Sequence, residues 1–190
     1  MSQWERESGK TLPPHKWLSL VNALTGHTAC YSHVEAHRKL MYRWYLTPDR
    51  LNKIYPNTSD RCLRCQTQRG TMLHTWWGCY LIQPLWLEVI RLLSKVGINL
   101  PQEFEACLWL DLPTSWRKQE KALATQVILA ARALIAINWK STNCLSETNL
   151  MDKIRLYYVY NISSAITASQ KYKISQNWEP WCSQYQFQPP

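Results

Sequence analysis

The chain has 190 residues, of which 46% are hydrophobic, and this is enough for one ordinary globular core with a smaller appended module. Its formal charge of +9 and its isoelectric point near 9.3 favour a polyanionic partner and argue against an acidic or neutral surface. Seven cysteines, an odd number, follow a polar N-terminus, so the composition argues against a secreted disulfide scaffold and favours a reducing, intracellular compartment.

Two helices are predicted before the first cysteine pair. Pro13 and Pro14 can start the first, and apolar residues at helical spacing continue it to Gly26. Ser32 as N-cap with Glu35 three residues later forms a capping box that predicts the start of the second helix. Its apolar side is predicted to contain Val34, Leu40, Met41, Trp44 and Tyr45. Pro48 ends this helix, two further turns follow, and P-N-T-S-D forms a turn that leads into the first cysteines.

Cys62, Cys65, His74 and Cys79 have the spacing C-x2-C-x8-H-x4-C. Two thiolates separated by two residues can bind one ion from a tight turn, and a second His/Cys pair would complete a tetrahedral structural zinc site. Three sulfurs and one nitrogen leave no open coordination position, so this zinc ion is predicted to stabilise the fold and not to catalyse a reaction. The alternative is that the four side chains are reduced, metal-free and buried as core residues.

The spacing of the last two ligands creates a geometric requirement. The apolar run from Met72 predicts a buried helix that ends at Gly97, with Pro84 as a kink or a fresh start. Five residues along an unbroken α-helix turn through about 140°, so His74 and Cys79 would not face one ion. Gly78 can adopt the left-handed conformation that ends a first short helix. The metal interpretation therefore predicts a break near Gly78.

The second half of the chain predicts two long helices. Residues 117–140 form the longest helical pattern, and polar residues interrupt its apolar run too often for a membrane span. The core residues expected from this central helix are Leu123, Val127, Leu129, Leu134, Ile135 and Trp139. A last helix over 147–171 is expected to pack back on it, before an extended tail.

The predicted fold class is all-α: an irregular helical domain with a small Cys/Cys/His/Cys zinc-knuckle-like loop module. Four segments are expected. They are the N-terminal helices and basic segment (1–57), the Cys/His module with its following helix (58–97), a helical domain (98–178) and an extended tail (179–190).

Basic residues are concentrated beside the Cys/His set. Eight Lys and Arg residues against two Asp residues between Arg38 and Arg69 contribute +6 of the total +9. The predicted phosphate contacts are Arg43, Arg50, Lys53, Arg61, Arg64 and Arg69. The chain has 11 Trp and 10 Tyr but 2 Phe, and Trp76 or Trp77 is expected to stack on a base or to pack nearby. The alternatives are solvated helix faces for the charges and core positions for the tryptophans.

Little in the sequence indicates catalysis. His33 and His37 lie one helical turn apart and could share a metal, but Glu35 is misplaced for the H-E-x-x-H pattern, and both are expected to face solvent or to cap local polar groups. The remaining cysteines are isolated and are expected to be core or surface thiols. They are Cys30, Cys107, Cys144 and Cys182.

Several stretches resemble one known family. These are R-W-Y-L-T-P-D-R-L-N-K-I-Y-P (43–56), C-L-R-C, G-T-M-L-H-T-W-W-G-C and I-Q-P-L-W. They are similar to the C-terminal segment of the second open reading frame polyprotein of vertebrate LINE-type non-LTR retrotransposons. The resemblance is strongest over 39–86 and continues more loosely through 122–140 and W-E-P-W. In that family the polyprotein carries an endonuclease, a reverse transcriptase and this cysteine-rich segment, which is implicated in binding the element's RNA.

By this resemblance, the four Cys/His residues take the family's Cys/Cys/His/Cys positions. The implied function is binding of RNA, the element's own transcript, or of DNA, within a cytoplasmic or nuclear ribonucleoprotein. The eight residues between the second and third ligands exceed the four of retroviral nucleocapsid knuckles, so that fold is not expected. The chain lacks a paired-aspartate polymerase motif and is not expected to be an enzyme. The alternative function is a scaffold that docks onto the reverse-transcriptase part of the polyprotein, with the Cys/His set metal-free and buried.

Overall fold

The computed structural model of the chain describes residues 3–25, 28, 30–138 and 146–187. Within these ranges it contains eight α-helices, two π-helical turns and no β-strand, which confirms the predicted all-α class. The α-helices are α1 (Gln3–Ser8), α2 (Pro14–Val21), α3 (Tyr31–Met41), α4 (Pro48–Ile54), α5 (Gln83–Ser94), α6 (Lys118–Ile137), α7 (Glu147–Ser163) and α8 (Ala168–Tyr185). The π-helical turns span His74–Gly78 and Glu105–Trp109.

The centre of the fold is α6, as predicted. It begins where the backbone N–H of Arg117 donates to the Glu120 carboxylate at 2.7 Å, which satisfies a polar group at the helix start. It packs against α5, α7 and α8 and is buried along most of its length. All the predicted core residues of this helix are buried except Trp139, which lies outside the described residues. None of the helices in the described ranges has the length and apolar composition needed to cross a bilayer.

The C-terminal region differs from its prediction in two ways. The single helix expected over 147–171 is divided into α7 and α8, and α8 restarts at a capping box formed by Thr167 and Gln170. The expected extended tail is wrong for residues 179–185, which continue α8 with Pro180 inside the helix. The physical reason is aromatic burial, because Trp178 and Trp181 are both at most 1% exposed. Burying the two indoles offsets the backbone hydrogen bond that a proline removes.

The N-terminal helices are shorter than predicted. α2 ends at Val21, and Gly26 lies outside the described residues. The N-cap of α3 is Cys30, so the capping box expected at Ser32 is wrong. Ser32 lies one residue inside the helix, where its hydroxyl is 3.1 Å from the Cys30 thiol.

The end of α3 places Trp44 in solvent and not on the predicted core side. Leu40 and Met41 are buried as expected, whereas Trp44 is 70% exposed. The chain reverses through Arg43, which has a left-handed φ of 56°. The Trp44 N–H donates to the Lys39 carbonyl at 2.8 Å, and the Arg43 N–H donates to the Leu40 carbonyl at 2.9 Å. This pair of bonds is a Schellman turn with arginine at the position usually held by glycine.

His33 and His37 are both buried, so the expectation that they face solvent is wrong. The His33 ring stacks on Tyr157 with centroids 4.1 Å apart. His37 does cap a local polar group, because its Nε2 is 2.7 Å from the Leu20 carbonyl oxygen. Their burial follows from packing of α3 on the core, and neither belongs to a metal-ligand cluster in the part of the chain that the structure describes.

Candidate metal centre and the surface around it

The first two ligands lie in a tight loop closed by backbone hydrogen bonds. Arg61 and Arg69 form an isolated antiparallel bridge at the base of the loop. Inside it, the Cys62 N–H donates to the Gln68 carbonyl at 2.8 Å, and the Gln66 N–H donates to the Cys62 carbonyl at 2.9 Å. Gln66 adopts a left-handed φ of 57° directly after Cys65. The loop therefore reverses the chain at the second cysteine and brings both thiols to one side.

The last two ligands are brought together by a π-helical turn. Cys79 donates its N–H to the His74 carbonyl at 2.8 Å, a bond between residues i and i+5. This wider turn places residue i+5 above residue i, so the 140° divergence of an α-helix does not arise. The predicted break after Gly78 is confirmed, since Cys79 is extended with φ −68° and ψ 127°. The predicted mechanism is wrong, because Gly78 is not among the residues with a positive φ.

The four ligand atoms converge. The Cys62, Cys65 and Cys79 sulfurs and the His74 ring nitrogen all lie within 4.8 Å of one another, and all four residues are buried. The Cys62 and Cys79 sulfurs are 4.0 Å apart, and the Cys65 sulfur is 3.4 Å from Nε2 of His74. Two sulfurs bound tetrahedrally at about 2.3 Å to one ion are about 3.8 Å apart. The cluster could therefore hold a metal ion.

The thiols of the cluster have opposed electrostatic environments. Burial raises the pKa of Cys79 to about 12, and the neighbouring Cys62 and Cys65 thiols add to the rise. Burial also acts to raise the pKa of Cys65, but hydrogen bonds from the Thr67 side chain and the Gln68 and Thr67 backbone outweigh it and lower that pKa to about 5. Three adjacent thiolates repel one another, and a bound divalent cation removes this penalty.

Arg64 is a structural residue, so its predicted contact with phosphate is wrong. Its side chain is buried, with the residue 5% exposed. It donates through Nη1 to the Thr75 carbonyl at 3.0 Å and through Nη2 to the Ile135 and Asn138 carbonyls at 3.0 and 3.3 Å. Burial lowers the pKa of Arg64, while the Cys62 and Cys79 thiols act in the opposite direction. The guanidinium thus joins the ligand loop to the end of α6.

The two tryptophans between His74 and Cys79 pack inward. Trp76 is 1% exposed, which excludes the predicted stacking on a base. Its ring lies 4.8 Å from Tyr45, and its carbonyl accepts a hydrogen bond from the Trp86 indole at 2.9 Å. Trp77 is half-buried, with its ring centroid 5.8 Å from that of Trp86. Trp76 therefore occupies a core position, which was the alternative expectation for the tryptophans.

The other predicted phosphate contacts differ in their exposure and in the ion pairs and hydrogen bonds that they already form within the protein. Arg43 is half-buried, pairs with Glu7 and lies over the Trp4 ring at 4.9 Å. Lys53 and Arg69 remain 55% exposed but both pair with Asp49, whose side chain is 6% exposed. Arg61 and Arg50 are exposed. Arg61 donates to the Thr67 carbonyl at 2.8 Å, and Arg50 donates to the Arg43 carbonyl at 2.5 Å.

Sequence reasoning missed an aromatic groove formed by α3 and the turn that follows it. The groove has a volume of about 290 Å³, and its lining residues are Tyr31, Glu35, Arg38, Lys39, Tyr42 and Trp44. Tyr31, Tyr42 and Trp44 are 74%, 62% and 70% exposed. The available signal was the concentration of aromatic and basic residues over 38–45, which the helical pattern assigned to a buried side.

The remaining cysteines behave as isolated thiols, as expected. Cys107 is fully buried, and burial raises its pKa to about 12. Cys30 and Cys182 are partly buried and unbridged. Cys144 lies outside the described residues.

A comparison of the sequence with models of known protein families finds no match. The resemblance to the LINE-type polyprotein segment therefore stays a prediction, and the function of the chain has to be argued from its own residues.

Proposed function

We propose that the chain is a nucleic-acid-binding module, with single-stranded RNA as its ligand and a structural zinc ion at Cys62, Cys65, His74 and Cys79. The observation that carries the proposal is the position of the Cys/His cluster. Its loop begins and ends at Arg61 and Arg69, whose side chains are 57% and 55% exposed. A metal ion that fixes this loop would fix the guanidinium groups that it presents to solvent.

The ligand set favours zinc over other cations. Three thiolates and one imidazole in tetrahedral arrangement are typical of structural zinc sites, whereas calcium and magnesium require oxygen ligands. Zinc carries two charges and the three thiolates carry three, so the occupied site would have a net charge of about −1. The Arg64 guanidinium, whose charge the Cys62 and Cys79 thiols favour, would balance that charge inside the protein.

A single strand of RNA supplies the two chemical groups that this surface can bind. Its phosphates are attracted by Arg38, Arg50 and Arg61, which are exposed. Its unpaired bases can stack on exposed aromatic rings, a contact worth about 1–3 kcal/mol per base. Trp44 and Tyr42 in the groove supply those rings in place of the buried Trp76. A duplex buries its bases and would leave the rings unused, so single strands are favoured.

A fluorescence anisotropy titration with a labelled single-stranded RNA tests this proposal. Binding should weaken as salt is added, and Trp44→Ala should reduce affinity by about tenfold. Tyr172→Ala is the matched control, because Tyr172 is 65% exposed on α8, and it should bind like the wild type. Absence of binding, or affinity that is independent of salt, would show the proposal to be wrong.

Elemental analysis of protein purified without chelator tests the metal separately. One zinc ion per chain is expected, and the double variant Cys62→Ser with Cys65→Ser should lose it. Cys107→Ser is the control, since Cys107 is an equally buried cysteine outside the cluster. If the purified protein contains no metal, the alternative holds, in which the four side chains are metal-free and buried as core residues.

A second candidate function is docking onto another protein, such as the reverse-transcriptase part of a parent polyprotein. The observation in its favour is a series of exposed apolar side chains over residues 31–55. These are Tyr31, Tyr42, Trp44, Leu46, Ile54 and Tyr55. A protein-docking surface of this kind should cause the isolated chain to self-associate in sedimentation experiments, whereas a monomer at micromolar concentrations would count against it. The two functions use overlapping surfaces within one ribonucleoprotein.

A further inference from the structure

Arg132 is a cation buried in the middle of α6 without an acidic partner. The residue is 5% exposed, and no Asp or Glu forms an ion pair with it in the part of the chain that the structure describes. Its Nε donates to the Cys107 carbonyl at 2.8 Å, and its Nη1 lies 3.0 Å from Nδ1 of His37. Its Nη2 is buried and has no hydrogen-bond partner among the described residues. An uncompensated buried charge of this kind is costly.

The neighbouring histidine cannot neutralise this charge. An arginine only donates, so Nδ1 of His37 has to accept from Nη1 of Arg132, and Nε2 then carries the proton donated to the Leu20 carbonyl. His37 is therefore held in one neutral tautomer. Burial lowers the pKa of Arg132 to about 9, which leaves the guanidinium charged at neutral pH.

A cavity of about 170 Å³ lies against Arg132. Its walls include the rings of Tyr45, Trp76 and Tyr157, together with small residues of α3 and α6 such as Ala136. Ile137 also lines the cavity and is 67% exposed, so the cavity opens to solvent beside α6. A pocket of roughly 150 Å³ lined by apolar side chains is large enough for one benzene ring.

We propose that this cavity binds a small organic anion that combines a flat apolar ring with one carboxylate, a molecule of about the size of benzoate. The carboxylate would pair with the guanidinium of Arg132, which lines the cavity, and the ring would pack against Tyr45, Trp76 and Tyr157. The aromatic walls disfavour a strongly hydrated inorganic anion. The volume is too small for a nucleotide with its sugar and phosphate, so this site is distinct from the proposed RNA surface.

Thermal denaturation with sodium benzoate as the probe tests the proposal. A ligand that binds only the folded protein raises the melting temperature, and at ten times the dissociation constant the rise should be on the order of 3 °C. Benzyl alcohol, which lacks the charge, and sodium acetate, which lacks the ring, are compared at equal concentration. Both should give much smaller shifts, with ionic strength held constant by sodium chloride.

Two variants locate the site by independent means. Arg132→Gln removes the charge, and Ala136→Phe fills the cavity from its half-buried rim while keeping the charge. Both should abolish the benzoate response. If Arg132→Gln does not fold, Ala136→Phe still tests the location. No saturable shift in the wild type, an equal shift with benzyl alcohol, or a full response in Ala136→Phe would each overturn the proposal.

Discussion

The Nη2 atom of Arg64 lies 3.0 Å from the carbonyl oxygen of Ile135 in the last turn of α6. Carbonyls at a helix C-terminus have no partner within the helix, so this contact satisfies one of them. It also places a positive charge at the negative end of the helix dipole. Because Arg64 stands one residue before Cys65, the ligand loop and the central helix are joined through a single side chain.

Replacing Arg64 should destabilise the protein much more than replacing Arg61. Arg64→Met removes hydrogen bonds to the buried carbonyls of Thr75 and Ile135, and each such bond from a charged donor contributes about 1.5–3 kcal/mol. Arg61→Met alters an exposed side chain and should change the free energy of unfolding by less than about 0.5 kcal/mol. Urea denaturation of both variants measures the difference, and equal effects would contradict the structural role of Arg64.

Removing the proposed metal ion should loosen the chain locally before it unfolds globally. The loop from Cys62 to Cys79 would lose the ion that offsets the mutual repulsion of three thiolates. The contacts of α6 with α5, α7 and α8 do not include the ligands, so these helices should keep their fold. Hydrogen exchange with and without a strong chelator should show faster exchange over 62–79 and nearly unchanged exchange in the middle of α6. Uniformly faster exchange in all helices would contradict this expectation.

Stability should fall with acid because two histidines are buried in neutral form. Burial lowers the pKa of His33 to about 4 and that of His37 to about 3, against about 6.5 for an unfolded chain. The unfolded state therefore binds more protons below pH 6.5, and stability is lost as the pH falls from there towards 4. The expected slope is about 1 kcal/mol per pH unit for each histidine.

The variant His33→Phe isolates one of these contributions. Neither ring nitrogen of His33 has a hydrogen-bond partner among the described residues, and a phenyl ring can keep the stacking on Tyr157. Between pH 6.5 and 4.5, the free energy of unfolding of the variant should fall about half as much as that of the wild type. Any release of metal in acid affects the wild type and the variant equally. The quantity to measure is therefore the difference between their slopes of unfolding free energy against pH. Identical slopes would exclude a role for His33.

Two glycines beside the Cys/His cluster should respond oppositely to replacement by alanine. A Cβ at Gly70 would stand 2.7–2.9 Å from the ring atoms of Pro48, so Gly70→Ala should cost about 1–3 kcal/mol. A Cβ at Gly78 would meet Nδ1 of His74 at an ordinary 3.8 Å, and φ at Gly78 is not positive. Gly78→Ala should therefore be neutral or slightly stabilising. Thermal denaturation of both variants compares them, and a strong loss of stability in Gly78→Ala would favour the left-handed conformation predicted from the sequence.

The sequence predicted those elements whose pattern is local. The apolar repeat of α6, the Cys/His spacing and the need for a break after Gly78 all depend on a few neighbouring residues. The π-helical turn could not be predicted in this way, because its register depends on burial of His74, Thr75 and Trp76 against other parts of the chain. Gly78 suggested a break in the left-handed conformation, whereas the protein forms a π-helical turn over His74–Gly78.

The surface was the least predictable part. Arg64 and Arg61 stand three residues apart in the same basic stretch, yet one is buried against α6 and the other is exposed. For the same reason, Trp44 is exposed where a core position was predicted, and Trp76 is buried where an exposed stacking position was predicted. Whether a long side chain points inward depends on which carbonyls or rings, distant in the sequence, it contacts in the fold. Those contacts cannot be predicted from one sequence.

The buried carboxylate of Asp49 acts as an internal competitor for any phosphate that approaches Lys53 or Arg69. Each of these cations would have to exchange an existing ion pair for a new one, which gains little and releases few counterions. Counting only Arg38, Arg50 and Arg61, the logarithm of the RNA affinity should fall with the logarithm of salt concentration with a slope of about −2.1, compared with about −3.5 for five engaged cations. Asp49→Asn should steepen that slope by freeing Lys53, and it should weaken the attachment of α4 to the ligand loop. Arg69 keeps its ion pair with Asp60 at 3.3 Å in this variant. The number of cations that RNA can engage is therefore set by Asp49 and Asp60 as much as by the basic residues around them.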